Sequence, residues 1–249
     1  MDFKAYCFVS ISPLRSEPKD QAEMVSQLLF GELITVHEIN EPWAKISTLS
    51  DEYEGYIDFK HFKKLTDKEA KRWNDGLSIL GNREVAIKTT RGTQFICRGA
   101  FVPILEKSFV IGDDSFEFID LPETAHQSPV ELAMEYLNTP YLWGGKSPYG
   151  IDCSGLTQII YRIHGINLPR DASQQVDVGT EVDFSDVQPG DIAYFENKNG
   201  KITHVGILDG EGNIIHAAGH VRMDHFTEQG IIHRDSGILT HRLNTIKRV

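Results

Sequence analysis

Three residues of this sequence carry side chains that nucleophilic catalysis of acyl transfer needs: Cys153, His204 and His216. A cysteine attacks a carbonyl carbon as its thiolate, and histidine is the side chain best able to take a thiol proton near neutral pH. A second polar group can hold the ring of that histidine in the orientation that proton transfer requires. The set predicts nucleophilic chemistry if the fold brings the three side chains together.

The cysteine is predicted at the first turn of a helix. A loop with several glycines over residues 144–150 precedes Cys153, and apolar residues then recur at i, i+3, i+4 and i+7 over residues 156–163. Backbone N–H groups are unpaired at a helix start and the helix dipole is positive there, so both favour a thiolate. The same N–H groups can donate to a tetrahedral oxyanion. We therefore expect Cys153 to be ionised and to face a groove.

The two histidines are predicted on adjacent strands of one hairpin. Residues 204–208 and 213–218 are apolar runs typical of strands, and the Asp-Gly-Glu-Gly segment at 209–212 indicates a turn between them. His204 and His216 are then near neighbours, so that His216 can orient the ring of His204. Cys153, His204 and His216 could equally be three zinc ligands, and a helix cysteine is often a buried small hydrophobic residue.

The order of elements predicts an α+β chain with three domains. Residues 1–65 hold short strands separated by Gly, Pro and Asn, which favours a small β-barrel. Residues 66–122 begin with a capped connector helix and continue with strand-like runs, which predicts a second small barrel. Residues 123–249 open with the capping box at 128–131, and their helices precede an antiparallel sheet.

Composition excludes several classes of function. The 249 residues include 36 acidic and 25 basic side chains, for a net charge of −11. The sequence lacks the basic stripe that binding of nucleic-acid phosphates requires, so we expect no nucleic-acid partner. No run approaches the ~20 apolar residues of a membrane span, so we expect no membrane partner. The N-terminus lacks the pattern of a signal peptide and the three cysteines are widely spaced. We expect a cytoplasmic protein, or a secreted or periplasmic one if a leader precedes this sequence. We also expect no cofactor.

Five short segments follow one another in the C-terminal domain: Tyr141-Leu142-Trp143-Gly144-Gly145, Asp152-Cys153-Ser154-Gly155, Leu168-Pro169-Arg170-Asp171-Ala172-Ser173-Gln174-Gln175, Gln188-Pro189-Gly190-Asp191-Ile192 and Thr203-His204-Val205-Gly206-Ile207. In this order they resemble the NlpC-type family of bacterial cell-wall cysteine peptidases, over about residues 126–249. The resemblance implies a papain-like fold and cleavage of γ-D-glutamyl–diamino acid bonds in peptidoglycan peptides. It implies Cys153 as nucleophile, His204 as base and His216 as orienting residue, with Tyr141 and Ser154 binding the oxyanion and the substrate.

Residues 15–18, 27–32 and 53–56 resemble the bacterial SH3-like domains that accompany such peptidases, among them the dipeptidyl-peptidase VI group. The resemblance implies that the barrel closes one end of the cleft, so that only murein tri- or tetrapeptides with a free N-terminal L-Ala fit, carrying diaminopimelate or L-Lys. It implies that Glu17, Tyr53 and Asp152 bind the substrate ammonium. Alternatively, Glu17 is a turn residue, Tyr53 a surface aromatic residue and Asp152 a helix cap. The protein would then be a peptidoglycan hydrolase that the barrel targets to intact cell wall.

Other classes stay open on the sequence alone: a binding module with an inactive peptidase domain, or an acyltransferase of the same fold. Phe195, Arg222 and Asp224 are expected by position alone to line the leaving-group side. His220, His225 and His233 have no assigned role and are expected at the surface.

Overall fold

The computed structural model describes residues 2–122 and 126–249, and the structural statements below concern these residues. The chain divides into two compact units, residues 1–125 and 126–249. Among the described helices, none has the length and apolar character needed to cross a membrane.

The first unit begins with an antiparallel sheet of short strands. They are β1 (Phe3–Cys7), β2 (Ile11–Arg15), β3 (Met24–Leu29), β4 (Leu33–Asn40), β5 (Trp43–Thr48), β6 (Glu54–Asp58) and β7 (Phe62–Leu65). Their order in the sheet is β3-β2-β6-β5-β4-β1-β7. Alternate residues face a shared interior, as Ala44, Ile46 and Thr48 of β5 do. The predicted N-terminal SH3-like barrel is confirmed.

A helix and two smaller sheets complete the first unit. They comprise α1 (Asp67–Asp75), β8 (Ser78–Ile79), β9 (Glu84–Thr89), β10 (Gly92–Cys97), β11 (Phe101–Val102), β12 (Ser108–Ile111) and β13 (Asp114–Phe118). Thr66 caps α1 in a capping box with Glu69. Phe30 from the barrel packs in one core with Trp73 and Phe109, so the two parts share buried apolar surface. The predicted domain boundary after residue 65 stays a prediction.

The second unit places its helices before most of its strands. Its elements are α2 (Pro129–Met134), β14 (Lys146–Ser147), β15 (Gly150–Ile151), α3 (Cys153–Ile163), α4 (Ala172–Gln175), β16 (Thr180–Glu181), β17 (Ile192–Glu196), β18 (Ile202–Leu208), β19 (Asn213–Ala218), β20 (His220–Thr227), β21 (Gly230–Ile232) and β22 (Leu239–Arg248). The strand order is β16-β22-β17-β18-β19-β20-β21, and β21 also pairs with β22, so the sheet closes on itself. The predicted α+β class is confirmed.

Helix α3 packs on the middle of this sheet, against β18 and β19. Residues 204–208 of β18 are all buried, because α3 covers one face of the strand and the apolar interior of the closed sheet of the second unit covers the other. Gly155 in the first turn of α3 permits a close approach, since a Cβ there would lie 2.2 Å from the carbonyl oxygen of Gly145. The packing therefore holds the start of α3 against the strand that carries His204.

Candidate active site

Cys153 is the first residue of α3, as the sequence predicts. The preceding residue, Asp152, has extended backbone angles and caps the helix: its Oδ1 accepts the N–H of Gly155 at 2.7 Å. Cys153 is 8% exposed, and the backbone of Val205 hydrogen-bonds to its sulfur. The nucleophile candidate therefore lies against the segment of β18 that contains His204.

The thiol of Cys153 is neutral at rest. Burial raises its pKa to about 12, and the charge of Asp152 adds to the increase. Hydrogen bonds from the backbone of Val205 and Ser154, and the charge of Arg170, act in the opposite direction. The expectation of an ionised sulfur is wrong for this structure, because removal from water outweighs the stabilisation that a helix start provides.

His204, His216 and Asp224 form a hydrogen-bonded row across three strands. His204 Nε2 lies 2.8 Å from His216 Nδ1, and His216 Nε2 lies 3.1 Å from Asp224 Oδ2. Gly206 pairs with His216 across the ladder, so the rings of His204 and His216 meet diagonally. Burial, and after it the neighbouring histidines, lowers the pKa of His204 well below its ordinary value. The low pKa favours the neutral form of the His204 imidazole.

Asp224 completes the row, a contact that the sequence did not predict. It is 1% exposed and lies behind His216, and its expected place on the leaving-group side stays a prediction. Burial raises the pKa of its carboxyl, but hydrogen bonds from His216, from the Arg234 backbone and from Arg222 outweigh burial and hold the pKa below its usual range. Burial in this strand does not alternate strictly, because Arg222 and Met223 are both partly buried, so no period-two pattern identifies the strand from the sequence.

Ser154 follows Cys153 in α3, and Tyr141, from the segment between α2 and β14, lies close enough for Cys153 to affect its phenol. Burial raises the pKa of the Tyr141 phenol above its ordinary value, with a further increase from Cys153 and Asp152, so the hydroxyl stays protonated and can donate. The Ser154 backbone hydrogen-bonds to the Cys153 sulfur, whereas its hydroxyl accepts from Arg170 Nη1 at 2.9 Å. A phenol and a backbone N–H are thus available to an oxyanion near the sulfur.

A buried ion pair fixes the residue that precedes the nucleophile candidate. Arg170 Nη1 and Nη2 lie 3.0 Å and 2.5 Å from Asp152 Oδ1 and Oδ2. Asp152 Oδ2 also accepts the N–H of Gly144 at 2.8 Å. Asp152 therefore holds α3, the glycine-containing loop and Arg170 together, and its predicted role in binding an ammonium stays a prediction.

Comparison with known proteins identifies both parts of the chain. Residues 138–240 match the NlpC/P60 family, and residues 14–62 match the bacterial dipeptidyl-peptidase SH3 domain. The chain contains an NlpC/P60 domain. All the residues of the hydrogen-bonded row lie inside the NlpC/P60 match.

Relatives of this chain include a γ-D-glutamyl-L-lysine dipeptidyl-peptidase of Bacillus cereus, 40% identical over 100 residues that cover 39% of this chain and 30% of the relative. The Bacillus subtilis protein of the same name is 39% identical over 90 residues, 35% of this chain and 30% of the relative. The chain therefore spans less than a third of the length of these curated relatives. Dipeptidyl-peptidase 6 of Lysinibacillus sphaericus is 25% identical and aligns over 92% of this chain and 94% of its own length.

A solved structure shares the fold along the whole chain. The crystal structure of an NlpC/P60 family protein from Bacillus cereus superimposes with a TM-score of 0.80, at 20% identity, over 98% of this chain and 99% of that one. At this identity the likeness establishes the fold alone.

Glu17 and Tyr53 belong to the first unit, outside the NlpC/P60 domain. Arg15 of β2 pairs with Tyr56 of β6, so the segment after β2 and the segment before β6 lie at the same end of the barrel. Glu17 is exposed and its carboxylate lies 2.7 Å from Lys19 Nζ, whereas Tyr53 is partly buried against the barrel core. Their predicted joint role stays a prediction.

Two further observations concern side chains around the NlpC/P60 histidines. His241 stacks on His204 with ring centroids 4.1 Å apart, a contact that sequence reasoning missed. Phe195, expected beside the leaving group, is buried in the core of the second unit. Of the histidines expected at the surface, His225 is exposed, while His220 and His233 are partly buried.

The zinc alternative gains no support from the geometry. Within residues 2–122 and 126–249, no group of three His, Cys, Asp or Glu side chains is arranged to hold a metal ion. The rings of His204 and His216 are instead in direct hydrogen-bond contact, and the Cys153 sulfur lies against β18, the strand that carries His204.

Proposed function

We propose that this protein is a cysteine peptidase that hydrolyses the γ-D-glutamyl–diamino acid bond of murein peptides. The observation that carries the proposal is the buried His204–His216 pair, joined at 2.8 Å, on the strands next to the helix that Cys153 begins. The NlpC/P60 match supports the peptidase class, and the names of the relatives support the γ-glutamyl substrate.

In the proposed reaction the sulfur of Cys153 attacks the carbonyl carbon of the γ-glutamyl bond as His204 removes the thiol proton. The oxyanion accepts hydrogen bonds from the Ser154 N–H and the Tyr141 hydroxyl. His204 then returns the proton to the leaving amine, which releases the diamino acid portion and leaves a thioester. Water, deprotonated by His204, hydrolyses the thioester and restores the thiol. Because both groups are neutral at rest, His204 acts as a general base at the moment of attack.

Substitution of the nucleophile tests the chemistry. Cys153→Ala should reduce cleavage of L-Ala-γ-D-Glu-L-Lys and of the diaminopimelate analogue below detection, because no thioester can form. Release of the diamino acid is followed by chromatography, and circular dichroism checks the fold. Cys97→Ala is the matched control: Cys97 is also buried and its pKa is also raised to about 12, but it lies outside the NlpC/P60 domain. Undiminished cleavage by the Cys153→Ala protein would remove the thiol from the mechanism.

We further propose that the substrate is a free murein peptide with an unblocked N-terminal L-Ala, whose ammonium is bound by Glu17 and Tyr53. The match of residues 14–62 to an SH3 domain of bacterial dipeptidyl-peptidases supports this, because such enzymes remove dipeptides from free N-termini. The Glu17 carboxylate is exposed and already pairs with an ammonium, that of Lys19. Action on free peptides corresponds to muropeptide turnover, for which we propose a cytoplasmic location.

Blocking the amine tests this specificity. N-acetylation of the tripeptide should lower kcat/KM by ~10–100-fold, since a hydrogen bond to a charged group contributes roughly 1.5–3 kcal/mol. Glu17→Gln should lower kcat/KM for the free peptide and leave the acetylated one unaffected, whereas Glu38→Gln, an exposed glutamate of β4, should change neither. Equal rates on free peptide, acetylated peptide and intact sacculus would instead support a hydrolase of intact cell wall.

A further inference from the structure

Asp224 lies at the far end of the buried row and takes no part in the steps above. We infer that Asp224 is a positioning residue that fixes the proton of His204 on Nε2, through His216, so that Nδ1 is free to receive the proton of a thiol. The role of Asp224 in catalysis rests on the proposed function. The direction of the His204–His216 and His216–Asp224 hydrogen bonds can be measured independently of activity.

Which nitrogen donates in each hydrogen bond of the row can be assigned one contact at a time, starting from Asp224. An ionised carboxylate accepts and does not donate, so His216 must donate from Nε2 across the 3.1 Å contact. A neutral imidazole protonated on Nε2 has a lone pair on Nδ1. His204 must then donate from Nε2 across the 2.8 Å contact. Its own lone pair is consequently on Nδ1, the ring nitrogen that does not face His216.

The carboxylate is held in one orientation by its other partners. Asp224 Oδ1 accepts from Arg222 Nη2 at 2.9 Å and from the N–H of Arg234 at 2.9 Å. Asp224 Oδ2 faces His216 and also lies 2.9 Å from Arg222 Nε. The two hydrogen bonds to Oδ1 and the charge of Arg222 keep the carboxyl ionised despite its burial, so the carboxylate can only accept from His216.

Replacement of the carboxylate by an amide reverses that direction. In an Asp224→Asn protein the amide oxygen takes the Oδ1 position, where two N–H donors meet it. The amide nitrogen then faces His216 and donates to Nε2. His216 must carry its proton on Nδ1 and donate to His204 Nε2, and His204 must carry its proton on Nδ1. A ring with a proton on that nitrogen cannot remove the proton of Cys153.

Long-range proton–nitrogen NMR correlation on ¹⁵N-histidine-labelled full-length protein tests the inference. In the wild-type protein near neutral pH, both His204 and His216 should be protonated on Nε2. In Asp224→Asn, both should be protonated on Nδ1. Asp235→Asn is the matched control: Asp235 is exposed and accepts from the same arginine at 3.1 Å, and the two tautomers should stay as in the wild type.

Kinetics with the γ-glutamyl tripeptide provide the functional readout. Where one imidazole separates carboxylate and nucleophile, an Asp→Asn change lowers kcat ~10⁴-fold. We expect Asp224→Asn to lower kcat by at least ~100-fold with KM nearly unchanged, because the tautomer affects the chemical step and not substrate binding. Asp235→Asn should keep wild-type kcat.

The outcomes separate the inference from the proposed function. Nδ1 protonation of His216 in the wild-type protein would overturn the inference even if the Asp224→Asn protein failed to fold. Unchanged tautomers or unchanged kcat in a folded Asp224→Asn protein would overturn it as well. A wild-type protein that shows the expected tautomers but cleaves no γ-glutamyl peptide would refute the proposed function and leave the assigned direction of the row standing.

Discussion

Removal of the Arg170 guanidinium should destabilise the second unit by leaving a charge buried without its counter-ion. The side chains of Arg170 and Asp152 are 1% and 7% exposed, and the contact is bidentate. Arg170→Met keeps much of the volume and removes the charge. Asp152 then keeps its backbone donors, Gly144 and Gly155, but loses its cation.

The expected cost follows from the burial of the pair. Removal of one partner of a buried ion pair costs roughly 3–5 kcal/mol. Because Asp152 keeps two backbone N–H donors, the loss of unfolding free energy in Arg170→Met should lie at the lower end of this range, about 3 kcal/mol. A second substitution, Asp152→Asn, removes the unpaired charge while Asn still caps the helix, so the double variant should cost about 1–3 kcal/mol less than the sum of the two single ones.

Alkylation of Cys153 in increasing urea provides the assay, since this buried thiol reacts when the second unit opens. The midpoint for Arg170→Met should fall, and the double variant should recover part of the loss. A loss below about 1 kcal/mol for Arg170→Met, or strict additivity in the double variant, would refute the reasoning, because either result would mean that water already solvates the pair.

Two further predictions concern groups around the nucleophile. His241→Ala exposes one face of the His204 ring, whose pKa is lowered by burial and then by neighbouring histidines. The pKa of His204 should therefore rise, and the acid limb of the pH profile of kcat/KM should move to higher pH. An unchanged profile would contradict an effect of His241 on the His204 ring. Gly155→Ala places a Cβ 2.2 Å from the Gly145 carbonyl oxygen and should lower stability by about 1–3 kcal/mol in thermal unfolding. Gly76→Ala meets ordinary 3.7 Å contacts and should lower it less, so equal losses would count against the packing argument.

Local sequence determined the placement of Cys153 and of both histidines. The residue types around Cys153 specify a helix start over a few positions, because a cap, a glycine-containing loop and apolar periodicity act within one or two turns. The turn at 209–212 likewise makes β18 and β19 neighbours, since strands joined by a short hairpin pair with each other.

Tertiary structure decided the pKa of the Cys153 thiol and the partner of His216 at the far end of the row. The helix-start effect on the Cys153 thiol is local, but its burial depends on strands and loops distant in sequence, and burial prevails. Asp224 reaches His216 because β20 pairs with β19 in a register that places Arg222 opposite His216. No local pattern specifies this register. The pairing of Asp152 with Arg170 has the same origin: a side chain finds a partner across the fold only when packing has removed the water that would otherwise solvate it.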